Sequence, residues 1–290
     1  MKMRKNRIAA LLLLLCLFLG GCMDVDPASG KETATGGTSV PKEVVGAYRS
    51  VTYRYPGSVD ESKLTTGMSE TYLILANKDL PLGSGYVPEQ LTTLTCATTR
   101  TMELDKRAAE ALYAMMEEMT REGGVRDILV TSAYRGYEYQ QTLYNHYVGV
   151  EENTLSPDAY QYFGETYIWE HYTSKGLTGL TYDDAEKVVQ TYSAKPGTSE
   201  HQTGLCIDFI TATMNGELTE AFEDTPAFAW LKDNAYRFGF ILRYPEDKVS
   251  VTGYTYEPWH YRFVGREAAT DIYLSGICLE EYLDYLSAAG

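Results

Sequence analysis

The chain has 290 residues, with 25 Lys and Arg against 40 Asp and Glu, a formal net charge of −15 and a pI near 4.7. At 44% hydrophobic and 22% charged residues, it has ordinary globular composition and enough length for a sizeable core, which excludes a disordered polyanion. Neutralising phosphates needs clustered Lys and Arg, so nucleic acid is excluded as a partner.

The charge is unevenly spread. Lys2, Arg4, Lys5 and Arg7 open the chain and the apolar run Ile8 to Leu19 follows. Twelve residues span about 18 Å as a helix, well short of the ~30 Å hydrocarbon core of a bilayer. A basic start and a short apolar stretch ending in small residues read as a secretory signal, residues 1–21. Its end, Leu19-Gly20-Gly21-Cys22, resembles the lipobox of bacterial lipoproteins. That resemblance implies cleavage before Cys22 and a diacylglycerol on its sulfur, hence an extracytoplasmic protein held on the membrane rather than crossing it. Residues 22–41 are rich in Gly, Ser, Thr, Asp and Pro and read as a flexible tether. Without residues 1–21 the balance is 21 basic against 40 acidic residues, or −19.

Residues 42–290 read as one α+β domain, a small antiparallel sheet flanked by helices, because strands and helices follow one another without regular βαβ alternation. A strand is predicted over Tyr72–Ala76. Helical periodicity is clearest over Met102–Arg121, where Leu104, Ala108, Leu112, Met115 and Met119 share a stripe that ends at Gly123-Gly124. Ile128–Thr131 is a predicted strand leading into Ser132-Ala133-Tyr134-Arg135, and Glu138–Tyr147 a helix. The stretch 148–194 is irregular and Tyr-rich, an insertion beside the site that serves as surface padding or as a lid. Leu205–Ile210 is a strand after Gly204. Thr225 and Pro226 are suited to cap a helix running to Phe238. Strands near Phe240–Arg243 and Trp259–Val264 precede helices over Arg266–Leu274 and Leu279–Ser287. Of five cysteines, Cys16 leaves with the signal and Cys22 is the lipidation candidate. Cys96, Cys206 and Cys278 then allow at most one disulfide.

Chemistry concentrates in two places. In Ser199-Glu-His201-Gln-Thr-Gly204-Leu-Cys-Ile-Asp208, strand alternation puts Cys206, Asp208 and Ile210 on one face and Leu205, Ile207 and Phe209 on the other. A buried Asp needs a partner, and a metal or a histidine supplies one. In Glu257-Pro-Trp-His260 the two ionisable residues converge only if the chain bends, which Pro258 favours. Two histidines, one carboxylate ligand and a spare carboxylate make the inventory of a catalytic zinc site. On spacing alone, a structural His–Asp pair beside a surface Glu fits as well. His146 and His171, the remaining two of four histidines, read as packed or solvated residues.

With Ser132-Ala-Tyr134-Arg135, Ser199 through Asp208 and Glu257 through His260 in this order, the chain resembles the VanY-like D-alanyl-D-alanine carboxypeptidases, over most of residues 70–270. The resemblance implies one Zn2+ per chain held by His201, Asp208 and His260, with Glu257 as general base and acid. Arg135 would meet the charge developing on the scissile carbonyl or hold the substrate's terminal carboxylate, and Ser132, Tyr134, Gln140 and Ser199 would contact substrate. It implies a monomeric hydrolase trimming D-alanine from peptidoglycan stem peptides. Cleavage of the D,D bond of pentapeptides is preferred over the L,D bond of tetrapeptides. A wall-binding lipoprotein without catalysis is the alternative from another class. A penicillin-binding serine enzyme is disfavoured, since S-x-x-K occurs only as Ser39–Lys42, and S-D-N and K-T-G are absent. Three departures from the pattern stand out: Gly136 where Ser is frequent, Cys206 where a small residue such as Ala is usual, and the long 148–194 stretch. Cys206 reads first as a small buried hydrophobe, with a thiol near the metal as the sharper reading.

Overall fold

The computed structural model describes residues 44–55, 61–64, 69–151, 186, 187, 189, 190 and 193–289. The predicted signal, Cys22, the tether and most of the 148–194 stretch lie outside the described residues. Among the described residues no helix is long and apolar enough to cross a membrane.

A two-stranded antiparallel pair, β1 (Leu91–Thr93) and β2 (Glu103–Asp105), leads into helix α1 (Lys106–Gly123). The predicted helix over Met102–Arg121 therefore starts four residues late. Asp105 is the reason: its carboxylate accepts the backbone N–H of Arg107 at 2.9 Å and of Ala108 at 3.2 Å, capping the helix there. Gly124 ends it in the left-handed conformation, φ 66°. The predicted strand over Tyr72–Ala76 is not formed. Glu70–Tyr72 is a 3-10 turn, and the carbonyls of Tyr72 and Ile74 accept from the buried guanidinium of Arg262 at 3.1 and 2.6 Å instead of from a strand.

The main sheet has four antiparallel strands in the order β3-β4-β6-β5: β3 (Ile128–Ser132), β4 (Cys206–Thr211), β5 (Phe240–Leu242) and β6 (His260–Phe263). Helix α2 (Tyr137–Glu151) follows β3. Helix α3 (Pro226–Asn234) starts on Thr225, whose hydroxyl accepts from Phe228 N at 3.1 Å, and passes into a 3-10 turn, Ala235–Phe238. The short α4 (Val249–Thr252), then α5 (Arg266–Ser275) and α6 (Leu279–Ala289), complete the described elements.

Alternation along the strands divides the sheet. Val130, Ile207, Phe209, Tyr261 and Phe263 join Leu112, Met115 and Met119 of α1 and Leu231 of α3 in one buried core. A fully buried Leu or Phe contributes about 1.5–3 kcal/mol, so this face carries the fold's stability. A second cluster joins Ile241 and Val264 to α5 and α6. On the opposite face of β4 and β6, Cys206, Asp208, His260 and Arg262 are equally buried, and these residues form the site, with Ile210 beyond them. Cys96, Cys206 and Cys278 are free thiols.

Candidate metal centre

Two central strands and one turn bring the predicted ligands together. The ladder between β4 and β6 sets Asp208 opposite His260. His201 sits in the 3-10 turn Glu200–Thr203 before β4. Gly204 closes that turn at φ 69°, and a Cβ there would lie 3.0 Å from Pro88 and 3.1 Å from Leu91, so both backbone angle and space call for glycine. On the other side of β4, β3 carries one extra residue between Val130 and Ser132, a bulge that puts Ser132 opposite Asp208. The chain does bend at Pro258. His260 N donates to Glu257 O at 3.1 Å, and this turn folds the Glu257 carboxylate back to 3.4 Å from His260 Nδ1.

The three predicted ligands converge. His201 Nε2 lies 3.2 Å from Asp208 Oδ2, and His260 Nδ1 lies 3.0 Å from Asp208 Oδ1, with the two rings nearly perpendicular at 83°. All three side chains are at most 5% exposed. Tetrahedral zinc with bonds near 2 Å holds its ligand atoms about 3.3 Å apart. The observed spacings match that edge. Asp208 Oδ1 makes no hydrogen bond among the described residues despite its short approach to His260, as expected of an oxygen and a nitrogen that share a cation rather than a proton. The tautomer of His201 is set from behind: Nδ1 donates to Ala133 O at 2.7 Å, leaving the Nε2 lone pair for a metal. The donor set and its orphaned oxygen therefore fit a zinc ion.

The electrostatics agree with the geometry. Burial, aided by the charge of Arg135, pulls His201 down to about 4, so it is neutral as a ligand must be. Burial alone would raise Asp208, but His201 and His260 hold it well below the usual carboxylate range. Burial would lower His260, yet the adjacent Asp208 carboxylate lifts it well above its ordinary value, a demand for positive charge that a cation meets equally well. Burial pushes Glu257 up, with Asp208 adding to the shift, which suits a group that takes and returns a proton.

Of the remaining predicted residues, Arg135, Ser199 and Ser132 adjoin this centre. Arg135 N donates to His201 O at 3.2 Å and its guanidinium to Ser199 Oγ at 3.4 Å, while its Nε is buried without a hydrogen-bond partner among the described residues. Ser132 Oγ is buried and equally unpartnered. Gln140 of α2 donates to Ala194 O at 2.7 Å, and its Oε1 has no hydrogen-bond partner among the described residues. Tyr134 is half-buried, and burial raises its phenol. His146 is buried in α2, packed against Tyr147 and apart from the three ligands; His171 lies outside the described residues.

Sequence reasoning missed what lies behind His260. Glu200, fully buried, accepts from Arg243 Nε at 2.8 Å and forms an ion pair with Arg262 Nη1 at 3.0 Å, and Arg243 also grips Glu280 at 2.8 and 2.6 Å. Burial would raise Glu200, but the two arginines hold it down at about 2. The Cys206 thiol donates to Glu200 Oε2 at 3.5 Å, and burial together with that carboxylate's charge pushes it up, so it stays protonated. The signal was present as Arg243 and Arg262 within apolar strands, since a charge is retained in a core only when paired.

Comparison with known proteins places these observations. The family whose model matches is D-alanyl-D-alanine carboxypeptidase, over residues 101–266, more than half of the chain. A D-alanyl-D-alanine carboxypeptidase of Enterococcus faecalis is 37% identical over 215 residues, 74% of this chain and 66% of that protein. A solved structure of a vancomycin-resistance D,D-pentapeptidase, VanY, in a variant bound to Zn(II), superposes with TM-score 0.55 at 36% identity, covering 73% of this chain and 99% of that one. The LD-carboxypeptidase LdcB superposes with TM-score 0.59 at 29% identity, covering 81% of this chain and 94% of that one.

Proposed function

Because the chain belongs to the D-alanyl-D-alanine carboxypeptidase family, we propose that it is a zinc-dependent carboxypeptidase that removes the terminal D-alanine from peptidoglycan stem peptides. The observation that carries this reading is the convergence of His201 Nε2 and His260 Nδ1 on Asp208, with Glu257 at 3.4 Å from His260. Zinc at this position supplies Lewis acidity that lowers the pKa of water and polarises the scissile carbonyl. His201, Asp208 and His260 hold it. Glu257 accepts the proton from the attacking water and returns it to the leaving amine, a double role to which its raised pKa is suited. Arg135, with a buried Nε awaiting an acceptor, pairs with carboxylate or developing oxyanion charge. Ser132, Tyr134, Gln140 and Ser199 line the approach and supply further polar contacts.

Cleavage of the D,D bond is the preferred reading, supported by the VanY relatives. The superposition on LdcB favours a second one, cleavage of an L,D bond in tetrapeptides. Release of D-alanine from penta- and tetrapeptide stems, with and without a chelator, separates them. Release from the tetrapeptide alone overturns the D,D reading, and release from neither overturns catalysis in favour of a wall-binding protein. The working form is a monomer, anchored outside the cytoplasmic membrane through a lipid on Cys22. At −19 without residues 1–21 the chain has no electrostatic attraction to an anionic surface, so retention falls to the acyl chains. Cys22→Ser is expected to move the protein from the membrane to the soluble fraction; retention of that variant on the membrane overturns the anchor.

A further inference from the structure

The nitrogen of His260 that faces away from the centre has a problem. With Nδ1 turned to Asp208 and Glu257, the ring can bind metal there only as the tautomer that carries its proton on Nε2. Yet Nε2 is buried and has no hydrogen-bond partner of good geometry among the described residues. Ligand histidines almost always donate their second N–H to an acceptor that fixes the ring. The groups standing behind His260 are the Cys206 thiol and the Glu200 carboxylate, each within 4.8 Å of a His260 ring nitrogen and of one another.

We propose that Cys206 and Glu200 position His260 for metal through a relay, His260 Nε2–H to Cys206 Sγ and Cys206 S–H to Glu200 Oε2. The register makes it possible. Cys206 lies opposite Arg262 one pleat away from the Asp208–His260 pair, on the same face of the β4–β6 ladder. Glu200 Oε1 is held by both Arg243 and Arg262, leaving Oε2 to the thiol, so the end of the relay is a fixed point rather than a mobile carboxylate. Sulfur is a weak donor and acceptor, but it is the group of this site that can do both at once between a ring N–H and a carboxylate. An alanine at position 206 leaves the ring N–H without an acceptor. The thiol therefore acts on the far side of the histidine and is not itself a ligand, and Cys206 is a positioning residue.

This inference rests on the zinc reading, and the test separates the two. Zinc affinity of the full chain is measured by competition with a chromophoric chelator for the wild type, Cys206→Ala, Cys206→Ser and His260→Ala. In parallel, one-bond proton–nitrogen spectra of the zinc-loaded protein report the His260 Nε2 proton. Cys206→Ala is expected to weaken zinc binding about tenfold, with Cys206→Ser recovering to within about threefold of the wild type. The Nε2 proton resonance should be sharp in wild type and Ser and broadened in Ala. Equal zinc affinity in wild type and Cys206→Ala, or a Ser variant no better than Ala, overturns the relay while leaving the zinc site intact. Absence of zinc binding in the wild type overturns the zinc reading and the relay with it.

Discussion

Arg243→Met tests whether the buried ion cluster holds the sheet behind the metal centre. The Arg243 side chain is fully buried and makes three charge-assisted hydrogen bonds, one to Glu200 and two to Glu280. Methionine replaces the stem but not the guanidinium. Glu280, 13% exposed, regains water. Glu200, with no exposure, keeps Arg262 at 3.0 Å as its one ion-pair partner among the described residues, with the weak Cys206 thiol donor at 3.5 Å. Removing one member of a buried ion pair costs about 3–5 kcal/mol, because a charge stays behind uncompensated. Protonation points the same way: on folding Glu200 is held at about 2, below its ordinary value, by Arg243 first and also by Arg262 and His260. That contribution is fully present above pH 4.5 and is lost as pH falls through 2. At about 2–4 °C per kcal/mol for a domain of this size, the midpoint should fall by roughly 6–20 °C. The assay is thermal unfolding followed by circular dichroism at neutral pH and fixed zinc concentration. A second arm combines Arg243→Met with Glu280→Gln, which should cost less than the two single changes added together. A fall in midpoint below about 2 °C, or strict additivity in the double variant, would refute the assignment of the cluster as a stabilising network.

Glu257→Gln should retain zinc by metal analysis while turnover of D-alanine release falls about 10²–10⁴-fold; full activity removes Glu257 as the base. His260→Ala should lose the metal itself, and unchanged zinc content removes it from the ligand set. Asp105→Ala, which deletes both capping hydrogen bonds of α1, should destabilise the protein by about 1 kcal/mol in denaturant unfolding; an unchanged midpoint contradicts the cap. Burial lowers His146 from 6.5 to about 4, so its neutral form is the folded one. Stability from this residue is whole above pH 6.5 and drains away as pH falls toward 4, by at most about 3 kcal/mol. His146→Leu should therefore flatten the pH dependence of the melting temperature across that window, and an unaltered slope rejects the assignment.

How much was legible beforehand depended on whether the signal was local. The stripe on α1, the Thr225-Pro226 start of α3 and the alternation in Cys206–Thr211 are written in spacing, because helix and strand periods act on neighbours along the chain. Alternation alone placed Asp208 opposite the apolar core. The motifs around His201, Asp208 and His260 named the three residues that the fold brings together, and Pro258 foretold the bend that returns Glu257 to them. The strand expected at Tyr72–Ala76 failed for a reason 190 residues distant in the chain. Its carbonyls bond to the guanidinium of Arg262, and no propensity encodes a partner so far away.

The sequence by itself determined the fold class, the acidic balance and the set of residues able to hold a metal. Only the tertiary structure decided which nitrogen of each histidine faces the centre. That choice follows from Ala133 O behind His201 and from the β4–β6 register beside His260. It likewise decided that Cys206 lies beside His260, one pleat along from Asp208, bonded to a carboxylate that two arginines hold in place. Hydrogen bonds and ion pairs are satisfied in three dimensions by whatever the packing brings near, and a one-dimensional pattern carries no record of that choice.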